Sequence, residues 1–287
     1  MKPNRNEDDV AILERPVNVS KVRQLSPFRY PGGKTWLVPQ IQRWICSLDF
    51  RPDVFVEPFA GGGIASLTVA LENLADKVYM AELDPDVASV WQTIFSAPDY
   101  LCKHISRFEV NLENVKRVIN TKPKTLKQRA FRTIVKNRTQ RGGILAPGAS
   151  LIKSGENGKG LKSRWYPETL VKRITLIHEL RHKITFTSED GFDSISRYKQ
   201  RVKAVFFIDP PYTAGGKRAG NRLYFLNQID HLKLFEMMTK IHGAFLMTYD
   251  DSQEVIELAE SHDFAWNKVP MKNTHHAINF ELLIKKT

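Results

Sequence analysis

At 287 residues, 42% hydrophobic and 26% charged, the chain has enough apolar material for a large core and enough charge for a soluble protein. Its apolar runs fall far short of the roughly 20 residues of a membrane span, and no apolar stretch follows the polar first nine residues, so membrane and secreted classes are set aside. The formal net charge is +12, and residues 115–183 hold 18 Lys and Arg against three acids, a field that points to a polyanion such as nucleic acid.

Residues 1–24 are polar, mixed in charge and without periodicity, and read as a mobile arm. In Pro27-Phe28-Arg29-Tyr30-Pro31-Gly32-Gly33-Lys34 the glycines allow a tight turn, Lys34 offers a cation and Tyr30 can cover an apolar face. Residues 54–57 form a short buried strand. Glu57-Pro58-Phe59-Ala60-Gly61-Gly62-Gly63 then leads into a small-residue helix over 64–73. Glycines there let the backbone approach a ligand and expose amides at the helix N-terminus. A second strand over 77–81 ends at Glu82, where such folds bind ribose hydroxyls; a capping or solvated acid is the other reading. Asp84 caps a helix with Pro85 at its first position. This series is half of a doubly wound α/β sheet. The Gly-x-Gly-x-x-Gly spacing is absent, which favours a nucleoside without a pyrophosphate, such as S-adenosylmethionine, over NAD.

Within the basic segment, helices over 126–137 and 167–182 flank a glycine-rich stretch over 141–162, expected to be a loop or hairpin ordered by a partner. The α/β rhythm resumes with strands at 184–187, 204–208 and 243–249. Asp251 with Glu254 reads as a capping box for a helix to about Ser261, and 264–270 and 277–284 as closing strands. Trp36, Trp44 and Trp91 are assigned to packing. Cys46 and Cys102 lack metal-type spacing and fit a reducing cytoplasm; with scattered histidines no metal site is expected.

The strand Ala204-Val205-Phe206-Phe207-Ile208 runs into Asp209-Pro210-Pro211-Tyr212. This places a carboxylate, a prolyl carbonyl and an aromatic ring at a strand end, where open α/β sheets bind ligands. Two prolines donate no N–H and fix φ, so the turn is rigid and rich in acceptors. Acceptors beside a flat ring suit the amino group of a planar heterocycle; a plain surface turn is the alternative.

Taken in order, segments 28–34, 57–63, 81–84 and 209–212 resemble the Dam-type DNA adenine-N6 methyltransferases, over roughly residues 26–284. The resemblance implies a Rossmann-like α/β methyltransferase sheet, residues 25–114 and 184–287, with a mostly helical DNA-recognition insert, residues 115–183. It implies S-adenosylmethionine as methyl donor, with Tyr30 and Lys34 in contact and Pro58, Phe59, Ala60, Gly61 and Gly63 lining its methionyl side. Glu82 would take the ribose. Asp190 would stand beside the adenine, with Glu189 or Asp193 as alternatives. Asp209, Pro210, Pro211 and Tyr212 become the catalytic segment, Asp209 also bordering the cofactor.

Asn137-Arg138, followed by Arg141-Gly142-Gly143, resembles the family's Asn-Arg segment leading into a DNA-contacting hairpin. Lys136, Asn137, Arg138, Arg141, Lys153 and Lys162 are therefore expected at double-stranded DNA, with Lys159 beside them. For Arg138 and Arg141, base and phosphate contacts both stay open. Residues 146–164 do not match the recognition residues of the best-known members, so no target sequence carries over. The 212–221 loop either closes over a flipped base or is plainly flexible, and His275-His276 lie near the site or at the surface. A cytoplasmic, nucleoid-associated enzyme is implied, acting alone or with a cognate restriction endonuclease. Cytosine-N4 or RNA adenine methylation, and a non-catalytic DNA-binding regulator, are the alternatives.

Overall fold

Val205 and Phe207 face one side of strand β4 (Ala204–Ile208), and Ala204, Phe206 and Ile208 face the other; all five are buried. A strand covered on both faces belongs in the middle of a parallel sheet. In the computed structural model of the chain, which describes residues 16–30, 32–211, 229–272 and 278–286, β4 takes that place. The seven-stranded sheet has the order β3-β2-β1-β4-β5-β7-β6. Strands β1 (Val54–Glu57), β2 (Lys77–Ala81), β3 (Ile184–Thr187), β4 and β5 (Ala244–Asp250) are parallel. Antiparallel β7 (Ile278–Lys286) lies between β5 and β6 (Phe264–Lys272). The strand order reverses between β1 and β4, so the chain leaves their carboxyl ends in opposite directions and opens a crevice there.

Seven helices cover one face: α1 (Val38–Cys46), α2 (Ile64–Leu71), α3 (Pro85–Ser96), α4 (Pro98–Arg107), α5 (Leu112–Asn120), α6 (Leu126–Thr139) and α7 (Pro167–Glu179). On the other face lie α8 (Gly191–Tyr198), α9 (His231–Thr239) and α10 (Gln253–Ser261). The helices of the basic segment share the first core. Val115, Ile134 and Ile174 are buried with Trp91, Leu101 and Ile105, with α6 against α3 and α7 against α4. Trp36 and Trp44 belong to the same core. Among the described residues, no helix is long and apolar enough to cross a membrane.

Several local expectations shift for identifiable reasons. The helix expected over 64–73 stops at Leu71, two residues before Asn73 takes a positive φ of 56°. The cap of α10 is Ser252, whose hydroxyl accepts the Val255 amide at 3.4 Å. Asp251 is instead paired with Lys268 of β6 at 2.9 Å. Between Arg141 and Arg164 the chain forms short 3-10 turns, and an antiparallel bridge pairs Gln140 with Leu151. Of the expected arm, residues 1–15 lie outside the described residues, while 16–24 include a 3-10 turn at Val19–Lys21 capped by Asn18.

Candidate active site

The loops that leave four neighbouring parallel strands line one cleft. Pro58 to Gly63 follow β1, Glu82 follows β2, Asp190 follows β3, and Asp209 follows β4; Tyr30 and Lys34 close the side. The turn after β1 requires glycine at two positions. Gly61 has φ +47° and Gly63 φ +63°; a Cβ on Gly61 would sit 2.7 Å from the Tyr30 ring, and one on Gly63 2.6 Å from Met80 Cε. Trp91, a core residue, donates its indole N–H to the Gly61 carbonyl at 3.0 Å. Glu82 accepts the Gly61 and Asp84 amides at 2.8 Å each, and so ties the turn to the end of β2. Asp84 caps α3 as expected, accepting the Asp86 amide at 2.8 Å.

Five carboxylates face this cleft: Glu57, Glu82, Asp84, Asp190 and Asp209. Burial pushes Glu57 up to about 8 and Glu82 up to about 7. Glu57 accepts the Ser66 amide at 2.9 Å. Phe59 meets Phe192 edge-on, ring centroids 6.4 Å apart, and lies against Gly191, where a Cβ would come within 2.5 Å of its ring. Asp190 caps α8 through the Phe192 amide at 2.9 Å and lines the cleft. Glu189 is held away by Arg197 at 2.8 Å, Tyr79 and Ser194, and Asp193 is exposed outside the cleft. Of the three acids left open by the sequence, Asp190 is the one brought to the site.

Asp209 accepts hydrogen bonds on Oδ1 from Lys34 at 2.9 Å and from the Thr248 hydroxyl of β5 at 2.8 Å. Lys34, only 3% exposed, also lies 3.3 Å from Glu281 of β7 and donates to the Gly32 carbonyl at 3.2 Å. Its side chain lines the cleft, and the ammonium lies between two protein carboxylates, because a buried cation needs counter-charges close by. Glu281 and Thr248 were not recognised from the sequence. The available signal was a glutamate, Glu281, set between Phe280 and the apolar Leu282, Leu283 and Ile284 of β7. Burial raises Glu281 to about 7, offset in part by Lys34. Pro210 and Pro211 also line the cleft. Tyr212, the rest of the 212–221 loop and His275-His276 lie outside the described residues.

The residues expected at DNA divide. Arg141, Lys153, Lys159 and Lys162 are exposed, and Lys136 is half-buried, 3.4 Å from Asp86. Asn137 has no exposed surface. Its amide donates to the Arg29 and Gly143 carbonyls at 2.9 Å each and accepts the Arg29 amide at 2.8 Å. A side chain so committed clamps two loops together and is not free to contact DNA, which corrects its expected place there. Arg138 is 5% exposed and donates to the Pro27 carbonyl. Burial, then the nearby Arg173, Arg29 and Arg164, lowers its pKa to about 9.

The sequence profile of the D12 class N6 adenine-specific DNA methyltransferases matches residues 30–274. The chain belongs to this family. It is an S-adenosylmethionine-dependent methyltransferase of Rossmann-like fold. The cleft fits that donor: a glycine turn too crowded for any Cβ, acids facing a ligand that carries cationic groups, and two phenylalanine rings beside Asp190. Among solved structures, the D12-class chain is similar to a proposed RNA methyltransferase of Pyrococcus horikoshii, at 11% identity, TM-score 0.42, covering 93% of this chain and 92% of that one. It is also similar to a precorrin-6y C5,15-methyltransferase of Geobacter metallireducens, at 10% identity, TM-score 0.37, covering 88% and 89%. Likenesses this loose say nothing about substrate. No curated protein matches the chain.

Proposed function

We propose that the chain is a site-specific DNA adenine-N6 methyltransferase that acts on a base flipped out of the duplex. One observation carries the reading: Asp209-Pro210-Pro211 ends the strand beside the crevice, in the same cleft as the glycine turn. The adenine amino nitrogen is a poor nucleophile, because its lone pair is delocalised into the ring. The Asp209 carboxylate and the Pro210 carbonyl would accept its two protons and localise that pair. Lys34 and Thr248 hold the carboxylate in place through Oδ1. S-adenosylmethionine supplies an electrophilic methyl group on its sulfonium. Nitrogen would bond to the methyl carbon as the carbon–sulfur bond breaks, and Asp209 would take one amino proton and pass it to solvent. Positioning and fixed charge supply the acceleration.

In this reading Glu82 meets the ribose and Asp190, with Phe59 and Phe192, the adenine of the donor. Unstacking the target base costs a few kcal/mol. Stacking on Tyr212 would return about 1–3 kcal/mol of that. A cytoplasmic, nucleoid-associated location and work alone or beside a restriction endonuclease belong to the same proposal.

The test is incubation with methyl-labelled S-adenosylmethionine and unmethylated duplex DNA, followed by identification of the modified base. N6-methyladenine that disappears in Asp209→Ala, while donor binding persists, supports the reading. Label confined to RNA or to cytosine would overturn it.

A further inference from the structure

Two cavities beside the cleft are lined by cations. The first is lined by Arg29, Arg138, Arg164 and Arg173, and the second by Arg29, Arg164, Arg141 and Lys153; they join at Arg29 and Arg164. Among the described residues, neither has a carboxylate in its lining. Several cations elsewhere in the fold are matched: Arg132 and Lys136 by Asp86, Arg197 by Glu189, Lys34 by Asp209 and Glu281. Arg29, Arg138, Arg141, Arg173 and Lys153 form no ion pair with any described acid.

Arg138 makes the contrast sharpest. It is buried against other guanidinium groups, and its Nε has no hydrogen-bond partner. Anchoring the preceding loop accounts for part of this. Arg138 donates to the Pro27 carbonyl and Arg173 to the Ser26 carbonyl at 2.8 Å. One neutral donor each would serve that purpose. Arg29, Arg138 and Arg173 crowd like charges around one hollow, which is unfavourable in the free chain, and an anion removes the repulsion. The first cavity also shares Tyr30, Gly33, Gly62 and Ile64 with the catalytic cleft. Its occupant therefore abuts the glycine turn.

We infer that these two joined cavities bind consecutive phosphates of one nucleic acid strand, with Arg29 and Arg164 at their junction, and so deliver that strand to the cleft. Guanidinium groups match phosphate oxygens in pairs, and each phosphate neutralised steepens the salt dependence of binding. The inference rests on the nucleic acid reading and adds to it Arg29, Arg164 and Arg173, none of which the sequence marked.

The experiment compares the full chain with the double variant Arg29→Gln/Arg173→Gln and the charge-keeping double variant Arg29→Lys/Arg173→Lys. Affinity for a labelled DNA duplex and for a single-stranded RNA is read by anisotropy over a salt series, with S-adenosylmethionine affinity measured alongside. The glutamine variant should bind the substrate strand at least about tenfold more weakly and lose about 2 from the salt slope. The lysine variant should keep most of that slope, and donor affinity should stay unchanged in both. An unaltered slope in a glutamine variant that still binds the donor overturns the phosphate track, even if DNA adenine is methylated. Loss of affinity for RNA alone, with no DNA binding by the parent chain, keeps the track and removes the DNA reading.

Discussion

Lys34 Nζ lies 2.9 Å from Oδ1 of Asp209, joining the glycine turn ahead of β1 to the end of β4. Glu281 stands 3.3 Å from the same ammonium. The cation is almost wholly buried, while Asp209 keeps some exposure. The pair thus ties the loop ahead of β1 to the strand end that carries Asp209 across the cleft.

Lys34→Met should therefore cost stability as well as activity. Removing one partner of a buried pair typically costs about 3–5 kcal/mol; the partial exposure of Asp209 argues for the lower end. Chemical denaturation measures this directly. Adding Glu281→Gln should recover part of the stability but none of the methyl transfer, since Asp209 still lacks its anchor. Full recovery of activity in the double variant would show that Lys34 serves only to balance charge.

Asp209→Asn keeps the shape and removes the charge. Methyl transfer should fall by roughly 10²- to 10³-fold, the scale of losing one well-placed electrostatic group. The affinity for S-adenosylmethionine should change little. Single-turnover rates and calorimetric binding of the donor separate the two effects; equal loss in both would place Asp209 on the donor and not on the amine.

Gly63→Ala forces a Cβ into the left-handed region and to within 2.6 Å of Met80 Cε. The backbone penalty is about 1 kcal/mol and overpacking adds about 1–3 kcal/mol. Weaker donor binding should accompany the loss, because the turn that faces the cleft must move. A thermal unfolding curve and a donor titration on the same sample check both.

The acid Glu57 sets a pH dependence. Burial, reinforced by Asp209 and Glu82, raises it from 4.5 to about 8, against the pull of the Ser66 amide. The folded chain then retains a proton that the unfolded chain gives up above 4.5. This contribution to stability is fully present below that value and is lost as pH rises through about 8. Glu57→Gln removes it. The variant's unfolding free energy should decline less than the parent's between about pH 5 and pH 9; parallel curves would count against a neutral Glu57.

Asn137→Ala empties a clamp of three hydrogen bonds to the Arg29 and Gly143 backbones. Leaving such buried groups unpaired costs about 1–3 kcal/mol each, so a loss near 3 kcal/mol is expected on denaturation. DNA affinity should fall indirectly, through displacement of Arg29, and a lower temperature should restore much of it.

Much of this was readable because the determining residues sit close together in the chain. Proline at the first position of α3 with Asp84 before it, glycines where φ turns positive, and the unbroken apolar run of β4 each depend on a few neighbours. The four ordered segments that form the cleft, and the acid, carbonyl and glycine chemistry they bring, were legible for that reason. Asp251 was misread as a cap because its competitor, Lys268, comes from another strand.

Which charges are buried, and which partner each one meets, is a long-range property that no local pattern records. Only the sheet order brings β7 beside β5 and sets Glu281 against Lys34. Only the fold brings the Arg29 and Gly143 loops against Asn137 and turns a residue expected at DNA into a clamp. It also gathers arginines from separate stretches around one hollow with no acid among its described lining residues. Short-range sterics wrote the elements and the reacting groups into the sequence, while desolvation and counter-charge, which depend on what the folded chain places alongside, decided their roles.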